Sequence, residues 1–239
     1  MHIGILCPTR KRPQNMERLW KSAYEMADQQ DMLHIFWYVD DDDFDSYEMG
    51  ESLQSRYPNN HIVSMVGPRN AIKMSEMSEY LFQAVRDTYQ EIELFFLAGD
   101  DIVFRTPNWD TEFRKVFASY NDRIVLVGGE DGYNPDILTH FMMHKRVADI
   151  LGYLSPAGYS GDYTDTHMND IFRKINRVVR LNNVLIEHMH WSAGKASMDQ
   201  TNSEKNTRCY SGSEPAHVMY KNREQERVEA AKKLAENLE

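Results

Sequence analysis

The sequence predicts an α/β domain built on a mostly parallel central sheet flanked by helices, with a C-terminal helical tail. Three observations carry that prediction. Apolar, β-branched and aromatic runs alternate with helix-period runs through the first half of the chain. Several of the apolar runs stop abruptly on clusters of charge. The 239 residues, 41% hydrophobic and 11% aromatic, suffice to bury one substantial core.

Residues 2–7 (HIGILC) read as a first strand, 15–27 as a helix, and 33–39 (LHIFWYV) as a second strand. Residues 46–57 read as helical, 61–66 as extended and 72–89 as helical, and 94–98 (LFFLA) is apolar enough for a central strand. A helix over 110–119 and a strand over 124–127 follow. Residues 130–162 carry Pro135, Gly152, Pro156, Gly158 and Gly161 among short apolar pieces, the composition of a segment shaped around a ligand. A helix over 164–175 and strands over 178–181 and 184–189 complete a domain spanning 1–200. In the remaining polar segment, 201–239, a charged helix over 223–238 carries a thin stripe of Val228, Ala231, Leu234, Ala235 and Leu238 that is expected to dock on the domain.

The net charge of −10 argues against a surface that holds nucleic acid or anionic lipid by its overall field. Lys145–Arg146, Arg173–Lys174, Arg177 and Arg180 are the candidates for a local basic face. No apolar stretch approaches membrane-spanning length and the N-terminus is not signal-like, so the expectation is a soluble protein with no membrane insertion. Two distant cysteines, Cys7 and Cys209, make neither a disulfide framework nor a metal cluster, which fits a reducing, cytoplasmic compartment.

Ligands of open α/β sheets bind beyond the carboxyl ends of the strands. Three charge clusters fall at such ends: Pro8-Thr9-Arg10-Lys11-Arg12-Pro13 after Cys7, Asp40 to Asp43 after Val39, and Gly99-Asp100-Asp101 after Ala98. A basic turn beside two acidic ones suits a phosphate-bearing substrate together with Mn²⁺ or Mg²⁺, because Arg forks match phosphate oxygens and hard oxygens hold such cations.

Those residues resemble the nucleotide-sugar-dependent glycosyltransferases of the GT-A (Rossmann-like) fold, near the large inverting family 2. "CPTRKRP" is similar to the family's first strand and nucleotide turn, "WYVDDDD" to its second strand with the base-contacting Asp, and "FFLAGDDIVFRTPNWD" to its DxD region. "ILGYLSPAGYSGDYTDTHMNDIFRK" resembles the acceptor-side segment with the catalytic base, and "LIEHMHWSAGKASMDQT" the metal-binding histidine region. The resemblance covers about residues 1–200. It departs at the DxD motif, whose first position is Gly99 here.

The resemblance implies Asp101 as metal ligand and Asp100 as a ribose or water-mediated metal contact. His188 and His190 share one face of an extended strand and are the further metal candidates, His188 favoured by the resemblance. Thr9 and Arg10 are candidates for the nucleotide base or phosphates, Asp40 or Asp41 for the base or ribose. Arg69 and Lys73 open a helix whose N-terminus is itself an anion site. Of Asp162, Asp165 and Asp170, Asp165 fits the family's catalytic base best. Trp109, Tyr133, His140, Tyr159 and Trp191 are candidate sugar-stacking walls.

The function this implies is metal-dependent transfer of a sugar from a nucleotide-diphosphate donor to an acceptor hydroxyl, with inversion. The alternatives are a nucleotidyltransferase acting on sugar phosphates and a catalytically inactive nucleotide-sugar binding protein. The acceptor stays open among a glycan, a protein, a small molecule and a modified DNA base.

Overall fold

The computed structural model describes residues 1–64, 73–203 and 214–239; the expected strand end at Val66, Arg69 and Cys209 lie outside them. In chain order the elements are β1 His2–Thr9, α1 Pro13–Glu25, a 3₁₀ turn Gln30–Met32, β2 Leu33–Val39, α2 Phe44–Arg56, β3 Asn60–Ser64 and α3 Met74–Thr88. There follow β4 Ile92–Leu97, β5 Ile102–Phe104, α4 Trp109–Ser119, β6 Leu126–Glu130, β7 Phe141–His144, α5 Lys145–Leu151 and α6 Thr164–Lys174. The last are β8 Val178–His188, a 3₁₀ turn Trp191–Ala193, α7 Ala216–Asn222 and α8 Glu224–Ala235.

The sheet runs β3-β2-β1-β4-β7-β6-β8-β5. The first four strands are mutually parallel, β6 and β8 run with them, and only β7 and β5 are reversed. Alternating side chains feed two cores, as a sheet covered on both faces requires. Ile3, Ile5 and Cys7 face Met16, Leu19 and Trp20 of α1 and Phe113 and Phe117 of α4. Leu6, Phe36 and Phe95 face Leu81, Phe82 and Val85 of α3 and residues of α5, α6 and α8. The helices earn these positions by spacing: in α1 the buried set Met16, Leu19, Trp20 and Ala23 recurs every three to four residues.

The structure differs from the sequence reading in three informative places. The two strands expected over 178–189 are one, β8, whose register against β6 slips between Gly129 and Glu130 while Asn182 and Asn183 stand exposed; that irregularity is the apparent gap. The segment read as irregular contains β7 and α5, four and seven residues long, too short for a periodicity to register. The buried face of α8 is Arg227, Ala230, Ala231 and Leu234, while Val228 and Ala235 turn to solvent. An arginine sits in that apolar phase because its Nε donates to Asp170 (2.7 Å) and its guanidinium lies 3.8 Å from the Tyr220 ring centre.

The registers Thr9↔Val39, Leu97↔Phe141 and Ile102↔His188 bring the ends of β1, β2, β4 and β8 and the start of β7 to one edge. Toward the opposite edge, His34 and His61 stack with Phe36, Tyr89 meets Phe36 edge-on, and His2 Nδ1 lies 3.1 Å from His34 Nε2. Burial pushes His34 down to about 4, with His61 and His2 adding to the effect and Glu91 opposing it. The unfolded chain, with His34 at its ordinary 6.5, therefore takes up a proton that the folded chain refuses, and stability falls as pH drops from about 6.5 to about 4. His34→Leu is expected to flatten the dependence of unfolding free energy on pH across that window by up to about 1.4 kcal/mol per pH unit. Urea titrations at several pH values measure this; an unchanged slope refutes it.

Candidate active site

Two adjacent carboxylates end β4, and the structure sends them in different directions. Asp100 turns inward and is buried, accepting from the Thr9 hydroxyl (2.8 Å), from Arg12 Nη1 (2.9 Å) and more weakly from Asn15 Nδ2 (3.5 Å). Burial pushes its carboxyl up to about 6, the charge of Asp101 adds to that, and Arg12 and Thr9 oppose it. Arg12 in turn donates through Nε (2.6 Å) and Nη2 (2.8 Å) to Asp199, so it is clamped between two acids. Thr9 and Asp100 thus hold each other, and the strap after the histidine region, through Asp199 and through the Thr201 hydroxyl on the Arg10 carbonyl (2.8 Å), closes onto the same turn.

Asp101 points the other way. Its Oδ1 lies 3.3 Å from His188 Nε2, and one ligand atom each from Asp101, His140 and His188 fall within 4.8 Å of one another. Burial alone would raise the Asp101 carboxyl, but the hydrogen bond and charge of His188, with His140 and Arg12, outweigh it and hold the group well below the usual carboxylate range. Burial and the proximity of His188 push His140 down to about 3, so its ring is neutral. An ionised carboxylate and a neutral imidazole are the forms that coordinate metal. Each ring also keeps one buried nitrogen without a hydrogen-bond partner, Nε2 of His140 and Nδ1 of His188; because a neutral imidazole has a single lone pair, His140 binds an ion only by giving up the bond it accepts from the Gly99 N–H. The residues fit a divalent ion with two nitrogen donors and one oxygen donor.

Gly99 explains the departure from DxD. A Cβ at this position would stand 2.8 Å from Asp101 Oδ1 and 3.1 Å from His140 Cε1, and the Gly99 N–H donates to His140 Nδ1 (3.2 Å). An aspartate there would collide with the carboxylate it is meant to accompany. His140 is the triad member absent from the metal reading of the sequence. It arrives because β7 is antiparallel to β4, so that the residue preceding Phe141 lies where β4 ends. His190 lies outside the triad: its Nδ1 is 2.7 Å from the Ser192 hydroxyl, and its ring is 5.0 Å from that of His188.

The acidic run after β2 is offset by the basic turn, as four adjacent carboxylates require. Arg10 donates from Nη1 to Asp40 (2.7 Å), from Nη2 to Asp42 (2.9 Å) and from Nη1 to the other Asp42 oxygen. Asp43 caps α2 through the Ser46 N–H (3.2 Å) and accepts from the Lys11 N–H. Asp40 is buried beside Arg10 and Asp41 is exposed. Lys73 is half-buried at the start of α3, its N–H donating to Glu76 (2.9 Å).

Asp165 stands half-buried in the first turn of α6, its Oδ1 accepting from the Thr166 N–H (2.7 Å). Asp170, an alternative to it in the sequence, is engaged by Arg227 (2.7 Å) and Lys174 (3.5 Å). Buried Asn169 couples two parts of the site: its Nδ2 donates to the carbonyls of Asp165 (2.8 Å) and Leu138 (3.0 Å), and its Oδ1 accepts from the Leu138 N–H (2.9 Å). The helix carrying Asp165 and the loop delivering His140 are therefore fixed to each other. Of the candidate stacking walls, Trp109 and Tyr159 are fully buried core, whereas Tyr133 is exposed beside the triad and Trp191 is exposed beside His190. Four basic groups of the second half are internally engaged: Arg177 with Asp122 (3.0 Å), Arg180 with Glu130 (3.6 Å), Lys174 with Asp170, and Arg173 with the Asp136 carbonyl.

No protein-family model and no curated protein sequence matches the chain. Solved structures do. TarS of S. aureus superposes with a TM-score of 0.62 at 9% identity over 87% of this chain, which spans 42% of that protein. The mannosyltransferase PcManGT of Pyrobaculum calidifontis, in complex with GDP-Man and Mn²⁺, gives 0.59 at 11% identity over 99% of this chain and 86% of that one. TarS 1–349 in complex with UDP-GlcNAc gives 0.55 at 10% identity, covering 96% and 72%. At these identities the likeness speaks to architecture, and the architecture is the GT-A fold of nucleotide-sugar glycosyltransferases.

Proposed function

We propose that the protein is a divalent-metal-dependent glycosyltransferase that moves a sugar from a nucleotide-diphosphate donor to an acceptor hydroxyl with inversion at C1. The observation that carries this reading is the Asp101–His140–His188 triad at the carboxyl end of β4, on a GT-A sheet and beside the Thr9–Arg12 turn. Asp101, His140 and His188 would hold Mn²⁺ or a similar ion. When bound, such an ion offsets the charge that develops on a departing diphosphate.

The chain's own residues supply the rest. The Thr9–Arg12 turn and Asp40, at neighbouring strand ends, line the nucleotide side, with Arg69 and Lys73 assigned there by the sequence. Asp165 is assigned as general base: its carboxylate takes the proton of the acceptor hydroxyl as that oxygen bonds to C1, while the C1–O bond to the diphosphate breaks and its electron pair leaves with the nucleotide. Neutral His140 keeps the triad from repelling the cation, and Asn169 maintains the spacing between base and metal loop.

Transfer is assayed with a panel of nucleotide sugars by following release of the nucleoside diphosphate. Asp101→Ala is expected to remove metal-dependent turnover while a cooperative melting transition survives; turnover like that of the wild type sinks the assignment. Asp165→Asn is expected to lose about 10²–10⁴-fold in turnover while retaining nucleotide binding, the range a positioned general base contributes. Loss of nucleotide binding in this variant contradicts the base role.

The metal site is tested without turnover, by Mn²⁺ titration of the nucleotide-free protein followed by electron paramagnetic resonance. His140→Ala is expected to weaken Mn²⁺ by about 10–100-fold, and Gly99→Ala, whose added Cβ displaces the Asp101 carboxylate, by about 10-fold. Unchanged affinity in His140→Ala removes His140 from the ligand set.

A further inference from the structure

The transferase reading leaves the acceptor unassigned, and an unusual run of rings beside the triad bears on it. From His140 the ring centres step 4.8 Å to His188, 5.2 Å to Tyr133, 5.0 Å to His190 and 5.7 Å to Trp191. The inner end is the metal site and the outer end is surface: Tyr133 is 42% exposed and Trp191 38%, whereas the other three tryptophans, Trp20, Trp37 and Trp109, are fully buried. We propose that Tyr133, His190 and Trp191 form a stacking platform for a pyranose ring of the acceptor, which makes the acceptor a carbohydrate. This rests on the transferase reading.

Three features support a built site rather than stray exposed rings. First, the rings are held. The Tyr133 hydroxyl lies 3.0 Å from Ser192 Oγ, which lies 2.7 Å from His190 Nδ1, and the Ser192 N–H donates to the same nitrogen (3.3 Å). The 3₁₀ turn Trp191–Ala193 is closed by Ala193 N–H on the His190 carbonyl (3.1 Å) and Gly194 N–H on the Trp191 carbonyl (2.9 Å). Rigid aromatic area of this kind binds with little loss of side-chain entropy.

Second, the platform is registered to the metal site by one buried carboxylate. Asp131 accepts from the Tyr133 and Asn134 N–H groups (2.8 Å each) and from the Thr139 hydroxyl (2.7 Å), and its carbonyl accepts from the His188 N–H (2.9 Å). The loop bearing Tyr133 and the strand end bearing His188 are thereby fixed together, so a ring resting on the platform keeps a constant distance from the triad.

Third, the neighbouring cations are engaged. Lys195 and Arg105 both engage Glu187, at 3.1 and 2.8 Å. Arg173, Lys174, Arg177 and Arg180 are engaged too, and the chain carries −10. Flat aromatic faces stack a sugar or a nucleobase alike, but a base carried on a polyanionic strand needs cations that this surface commits elsewhere. A neutral sugar, with its C–H face on the rings and its hydroxyls toward Ser192 and the Tyr133 oxygen, meets no such requirement.

Trp191, the single exposed tryptophan, is its own probe. Acrylamide quenching of tryptophan emission is measured for the full chain with Mn²⁺ and nucleoside diphosphates, against methyl glycosides, short oligosaccharides and free nucleosides. At least one saccharide is expected to more than halve the quenching constant. Saturation-transfer NMR with that saccharide is expected to lose its signal in Trp191→Ala and to keep part of it in Trp191→Phe, both variants melting as the wild type does. A nucleoside diphosphate that binds while no saccharide shields Trp191 overturns the platform alone. Shielding by nucleosides in place of saccharides overturns the carbohydrate assignment. Failure of every nucleotide and every saccharide to bind overturns the transferase reading, and the platform with it.

Discussion

A carboxylate buried at the end of an apolar strand must be paired, and the pairing of Asp100 organises everything around it. Thr9 and Arg12 satisfy it from the turn after β1, and Arg12 reaches on to Asp199 in the strap beyond the histidines. One buried acid therefore ties together three segments that are remote in sequence. Removing Arg12 would strip the buried Asp100 of its cation, a loss of about 3–5 kcal/mol for a broken buried pair, whereas removing Asp100 leaves Arg12 on Asp199. The adjacent carboxylate is released for other work. With Asp100 committed inward, Asp101 falls on the opposite side of the turn, where β7 and β8 present His140 and His188.

The same division runs through the acidic cluster after β2. Asp43 caps a helix and Asp40 and Asp42 hold Arg10, so these carboxylates shape the site's walls as much as they face a ligand. Sequence spacing does not separate an acid that holds the frame from one that meets the substrate. Only the pairing does: Asp100 meets a cation and a hydroxyl, Asp101 meets two imidazoles.

Much of the frame was legible because it follows from local pattern. The strands at 2–7, 33–39 and 94–98 and the helices between them declare themselves by period and by where charge interrupts them. Asp101 and His188 were metal candidates through the resemblance, and the structure brings them together at strand ends. His140 escaped the metal reading because its role depends on β7 running antiparallel beside β4, a pairing of short segments far apart in sequence. Arg12 and Asp199 escaped for the same reason: an ion pair spanning 187 positions has no local signature. The stripe assigned to the last helix missed its phase because Arg227 is buried by a partner, Asp170, that lies on another helix. Arg69 lies outside the described residues, and its assignment rests on the sequence alone.

The charge balance of the site bears on the proposed metal. The two guanidinium groups of the basic turn are already matched, Arg10 by Asp40 and Asp42, Arg12 by Asp100 and Asp199, and Asp101 adds a further ionised carboxylate. Counting these seven groups, the strand-end cluster carries excess negative charge before any diphosphate arrives. A substrate with two phosphates would enter a repulsive field in a partly desolvated setting, where such interactions are weakly screened. More arginines could reverse the sign only by breaking pairs that hold the turn together. A divalent cation held by Asp101 and two imidazole nitrogens would reverse it locally and leave the pairs intact. The histidines would matter for the same reason: two further carboxylates in their place would consume the charge an ion brings, whereas imidazole nitrogens would hold the ion and leave that charge for the phosphates of the proposed donor.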